Sequence, residues 1–109
     1  MSIFDVSNKA PLSGEYILGA EQTGSHACYL IYGVLKAGER GRELKPGRGH
    51  EELVLAVQGD LSLRGHTVGD LKQGQAIHLR DEETCLLDNP GDGEAIYVVA
   101  GGHAEGGHR

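Results

Sequence analysis

Tryptophan is absent from the 109 residues, phenylalanine and methionine occur once each, and cysteine occurs twice. A core without these large groups must be built from aliphatic side chains and from the four tyrosines, whose hydroxyls need partners when buried. The opening segment, MSIFDVSNKAPLSG, lacks a basic region followed by an apolar stretch, so no export signal is expected. A cytoplasmic location is therefore expected, with Cys28 and Cys85 as free thiols. Long apolar runs are missing too. The longest purely aliphatic one is Leu53 to Val57, far short of a membrane span. Ten Lys and Arg against sixteen Asp and Glu give a formal net charge of -6, with no basic run longer than a pair. Such a surface repels a phosphate backbone, so nucleic acid is excluded as an expected partner, as is a membrane.

Glycine is what the chain has in excess, at 18 residues. Its even scatter suits short strands joined by turns, because glycine takes positive φ without a Cβ penalty. No segment repeats apolar residues at helical spacing over three turns. Apolar runs recur instead between glycine-rich breaks, and this predicts strands at 15–18, 27–35, 52–57, 61–64, 75–79, 84–87 and 95–99. In Leu61-Ser62-Leu63-Arg64 the leucines point inward and the polar groups outward. Leu53 to Val57 and Cys28 to Leu35 are apolar on both faces. A single small barrel has little to cover the second face, so a homodimer contact is expected there.

From Pro46 to Gly59 the chain reads PGRGHEELVLAVQG, with six residues between Glu52 and Gly59. From Gly74 to Asn89 it reads GQAIHLRDEETCLLDN. In order and separation these resemble the two sequence motifs of the cupin superfamily, in its small single-domain form. The resemblance covers roughly Tyr29 to Val99. It implies an all-β, single-domain cupin jelly-roll, a double-stranded β-helix barrel with a pocket in its mouth. The single domain would span 1–109, with a core at about 26–100 and less order at 1–13 and 101–109.

Metal-binding members hold a divalent transition metal such as zinc, nickel or iron with two His and a Glu from the first motif and a third His from the second. Counted back from Glu52, the two His positions fall on Pro46 and Arg48, and the third falls on Cys85. Proline has no donor atom and arginine stays protonated. The usual metal set is therefore not expected, although His50, Glu52 and Cys85 would make a three-ligand zinc set if folding joined them. Arg48, His50, Glu52 and Cys85 are the candidate pocket residues. In a regular strand 48, 50 and 52 share a face, which would let Arg48 pair with Glu52 and present its spare donors to an anion. His78 alternates with Ile77 and Leu79 and is expected to face away from the pocket. His26 and His66 are expected on the surface, Cys28 in packing, and Asp81-Glu82-Glu83 as a solvated turn. His103 and His108 fall in a tail expected to fray.

Three functions follow. One is a small-molecule-binding cupin without the metal set. Another is a metal-independent isomerase or epimerase resembling the RmlC-like cupins that act on nucleotide-linked sugars, a group that residues Tyr29 to Gly33 and Glu39 to Gly41 also resemble. The last is a metalloprotein with a rearranged His50, Glu52 and Cys85 site. Function belongs to the site and not to the fold, so whether the protein is an enzyme stays open at this point.

Overall fold

The computed structural model describes residues 2–10 and 14–103. Nine strands and one short helix follow in order: β1 (Glu15–Leu18), α1 (Ala20–Thr23), β2 (Cys28–Leu35), β3 (Arg42–Leu44), β4 (Gly47–Gln58), β5 (Leu61–Gly65), β6 (Gly69–Leu71), β7 (Ala76–Asp81), β8 (Cys85–Asp88) and β9 (Ala95–His103). They form a five-stranded sheet in the order β1-β2-β9-β4-β7 and a four-stranded sheet in the order β3-β8-β5-β6. Every pairing is antiparallel.

Alternation explains the layering. On β4, Glu52, Val54 and Ala56 are buried while Leu53, Leu55 and Val57 are exposed, as a period of two requires. On β5 the leucines at 61 and 63 are buried. The core joins Leu35, Val54, Leu79, Tyr97 and Val99 of the large sheet to Leu44, Leu61, Leu63, Leu71, Cys85 and Leu87 of the small one. Each fully buried leucine contributes about 1.5–3 kcal/mol relative to exposure. Turn chemistry closes the layers. Gly59, between β4 and β5, has φ of 80°, which only glycine adopts without strain. Beyond β8, the buried Asn89 donates through Nδ2 to the carbonyls of Leu35, Lys36 and Gly93 at 3.1, 3.0 and 2.8 Å. It thereby ties the end of β2 to the β8–β9 loop.

Two expectations need correction. Residues 101–103 do not fray but complete β9, where Gly101 pairs with both Tyr29 of β2 and Glu52 of β4. A central strand is held by its neighbours' backbone hydrogen bonds whatever its side chains. Residues 104–109, with His108, and residues 1 and 11–13 lie outside the described residues. Cys28 is exposed and not packed, while Cys85 is fully buried, and both are free thiols. Among the described residues no helix is long and apolar enough to cross a membrane.

Candidate functional site

Two glycines make room for the site. In the β2–β9 pair, Tyr29 lies opposite Gly101 and Gly33 opposite Tyr97. A Cβ on either glycine would overlap the facing tyrosine ring, so each ring lies flat on the neighbouring strand's backbone. Glycine is required here for space and not for conformation. Tyr97, wholly buried, donates to Glu15 Oε2 at 2.7 Å and accepts from Arg42 Nη1 at 2.9 Å. Tyr29 donates instead to Glu52 Oε2 through a short hydrogen bond.

Around Glu52 the inner face of β4 and the end of β9 bring two histidines together. His50 pairs with His103 across the strands. Their ring centroids are 4.7 Å apart, and His50 stands edge-on to Tyr29 at 6.1 Å. Tyr29, His50, Glu52 and His103 thus form one cluster on the inner face of the large sheet. Burial raises the Glu52 carboxyl above its ordinary value, and the Glu15 charge pushes the same way, while the Tyr29 hydrogen bond and nearby His50 pull it down. The Tyr29 phenol is raised by burial and by its bond to the carboxylate. A carboxyl and a phenol share one proton-bearing contact, with imidazole beside them. Such a set offers a proton donor and proton acceptors within one contact.

Arg48 stands apart. Gly47 and Gly49 on either side of it have φ of 91° and 80°, and the β4–β7 register shifts between Gly47 and Glu51. These left-handed residues break the strand alternation, so Arg48 is exposed while His50 and Glu52 keep a common face. No ion pair joins Arg48 to Glu52 among the described residues; its carbonyl lies 3.2 Å from His50 Nδ1. The bulge is braced by Asp81, whose Oδ1 accepts from the Gly49 amide at 3.0 Å. The acidic turn therefore has a structural partner on β4.

Cys85 sits on β8 in the opposite sheet, wholly buried, with its Sγ 3.9 Å from the Thr67 carbonyl. Burial raises its thiol, which removes the thiolate that a nucleophile or metal ligand requires. Among the described residues no group of three or more His, Cys, Asp or Glu is placed to hold a metal ion. The set of His50, Glu52 and Cys85 is not assembled, and the donors present do not fit the metal that the fold family implies. His78 faces outward as expected and bonds Glu51 at 2.7 Å; His26 and His66 are exposed.

Sequence reasoning missed Tyr29 and His103 as site residues. No local signal marks them, because Tyr29 reaches Glu52 only through the β2–β9–β4 register.

No protein-family model matches the chain, and no curated protein matches it in sequence. Solved structures do match in shape. A double-stranded β-helix protein from Klebsiella pneumoniae superposes with a TM-score of 0.71 at 14% identity, covering 98% of this chain and 94% of that one. The Schizosaccharomyces pombe Cnp3 cupin domain gives 0.62 at 13% identity over 71% of this chain, which spans 56% of that one. The fold is that of the cupins. A cupin-superfamily sugar phosphate isomerase from Silicibacter pomeroyi is similar as well, with a TM-score of 0.64 at 17% identity, covering 94% of this chain and 68% of that one. In this cupin fold the observed cluster lies on the inner face of the large sheet, where the first-motif Glu52 was expected.

Proposed function

We propose that this cupin binds a small polar molecule at the Tyr29, His50, Glu52 and His103 cluster without the usual metal set. The observation that carries the reading is the Tyr29–Glu52 hydrogen bond, which holds a buried carboxyl in an inner-face cluster beside two imidazoles. Glu52 keeps an oxygen for a ligand hydroxyl, and His50, whose Nδ1 donates to the Arg48 carbonyl, keeps Nε2 as an acceptor for a second hydroxyl. A thermal-shift screen of metabolites tests this, since a ligand that binds only the folded state raises its melting temperature. The best ligand should shift the wild type and Arg48→Met alike, and leave His50→Gln unshifted. A shift that survives both His50→Gln and Tyr29→Phe would put binding elsewhere.

A second reading makes the cluster catalytic, as a metal-independent isomerase or epimerase. Its support is the proton-bearing Tyr29–Glu52 contact next to His50, together with the fold likeness to the Silicibacter pomeroyi sugar phosphate isomerase. Proton abstraction beside a carbonyl would then carry solvent deuterium into a keto-sugar. That incorporation should vanish in Glu52→Gln.

We also infer that a second copy of the chain covers the outer face of β4. Leu53, Leu55 and Val57 are 55%, 39% and 43% exposed there, on a strand flanked by β9 and β7. A mid-sheet stripe of this kind is what an isologous dimer buries. Light scattering at micromolar concentration should give a dimer, and Leu55→Glu a monomer. A wild type that stays monomeric across the concentration range would end the idea.

A further inference from the structure

The outer face of the four-stranded sheet carries a second polar hollow, unrelated to the Glu52 cluster. It holds about 430 Å³ and is lined in part by Arg40, Ser62, Arg64, Asp88 and Asn89. The Asp88 carboxylate is buried and bonded through both oxygens. Its Oδ2 accepts from Arg64 Nε at 2.7 Å, and its Oδ1 accepts from Arg64 Nη2 at 2.9 Å and from the Gly41 amide at 2.8 Å. Arg40 Nη2 adds a looser ion pair at 3.7 Å. This set leaves donors over. Arg64 Nη1, Arg40 Nε and Nη1, and the Ser62 hydroxyl make no hydrogen bond among the described residues. Two guanidiniums against one carboxylate leave the hollow one charge positive on a chain of net charge -6.

The fork fixes the geometry. A bidentate Arg64–Asp88 pair holds the guanidinium plane still, so its remaining nitrogen, Nη1, is fixed in place without further ordering. Arg40 is 70% exposed and its side chain can close over a ligand from the rim. A cation is disfavoured here, because the one carboxylate among the lining residues already faces two guanidiniums. We propose that this hollow is an anion site that takes a phosphate group, held between Arg64 Nη1, Arg40 and the Ser62 hydroxyl.

Inorganic phosphate is the probe, titrated into the full chain at low ionic strength and followed by amide NMR shifts. Saturable shifts are expected at Gly38, Ser62, Arg64 and Asn89. They should weaken at least tenfold in Arg40→Gln, the scale of one charge-assisted hydrogen bond. Binding should be unchanged in Lys72→Gln, which removes an exposed charge outside the hollow, and weakened by added salt, as for any exposed charge contact. Ser62→Ala should weaken it less, because its hydroxyl is neutral. Equal weakening in Arg40→Gln and Lys72→Gln would reduce the effect to general charge and overturn the site. So would chloride matching phosphate at equal ionic strength, or shifts that do not saturate. A second arm compares a sugar monophosphate with inorganic phosphate: tighter binding of the ester assigns the site to a metabolite's phosphate, and equal binding assigns it to the free ion. Because Arg40 is exposed, its variant should melt with the wild type. If it does not, Arg40→Lys, which keeps the charge, must restore binding or the proposal fails.

Discussion

The β2–β9 strand pair uses one device twice, with different results. Tyr97 lies on Gly33 and Tyr29 lies on Gly101, and each ring carries its hydroxyl to a glutamate. At Tyr97 a guanidinium completes the set. Arg42 donates to the phenol oxygen, to the Gly14 and Val34 carbonyls, and to Glu39 at 3.0 Å, so both of its terminal nitrogens are committed. At Tyr29, among the described residues, no Lys or Arg bonds the phenol or Glu52, and His50 and His103 stand nearby instead. At the Tyr97 end the Lys36 amide and Arg42 hold the Glu39 carboxyl below its ordinary value, whereas at the Tyr29 end burial raises Glu52. The same backbone arrangement thus builds a fixed brace at one end and a titratable cluster at the other.

Breaking the brace should have the largest effect. Gly33→Ala drives a Cβ into a ring that cannot move, because Tyr97 is wholly buried and bonded on two sides, and overpacking of this kind costs about 3 kcal/mol. Urea denaturation should show that loss, or no folded protein. Tyr97→Phe comes next. It keeps the ring but strips a partner from Glu15 and from Arg42, for a cost of about 1–3 kcal/mol by the same measurement.

The opposite end should yield more easily. In Gly101→Ala the half-buried Tyr29 can swing outward, so stability should fall by only about 1 kcal/mol. The Tyr29–Glu52 bond should be lost all the same, and the thermal shift of any ligand held by the cluster with it. A stability loss equal to that of Gly33→Ala would erase the distinction between the two ends.

The smallest effect is one of sign. Burial raises the Glu52 carboxyl above its ordinary 4.5. A raised acid contributes stability that is fully present below that value and is lost as pH rises through the folded one. Glu52→Gln should therefore match the wild type below about pH 4 and gain on it as pH rises. Asp88 runs the other way. The Arg64 fork holds it at about 2 against an ordinary 3.8, so its contribution is present above 3.8 and is lost as pH falls toward 2. Asp88→Asn should flatten the acid side of the stability profile and Glu52→Gln the side above it. Melting temperatures across pH check both slopes.

Much of the fold was legible because alternation is a local signal. Leu61-Ser62-Leu63 shows its buried face in sequence, the run from Glu52 to Val57 reads as a strand but is apolar on both faces, and the spacing from Glu52 to Gly59 marks a real turn. Strands β3 and β6 were not legible, since three residues each carry too little periodicity to register. The site was legible only in part. Glu52 and His50 share a face as strand parity requires, but Arg48 does not, because Gly47 and Gly49 interrupt that parity. Tyr29 and His103 are joined to Glu52 by register across three strands, which is non-local information. The tail at 101–103 read as frayed because its glycines offer no apolar face, although the strands on either side hold its backbone.

The register shift in β4 has an evolutionary consequence. Between Gly47 and Glu51 the strand loses step with β7, yet Glu52 faces Leu79 and Val54 faces Ile77 in regular order beyond it. An insertion or deletion confined to this stretch would leave the core downstream undisturbed. It would, however, change which side chain enters beside Glu52. The stretch therefore sets which side chain stands beside Glu52 independently of the register that the core keeps beyond it.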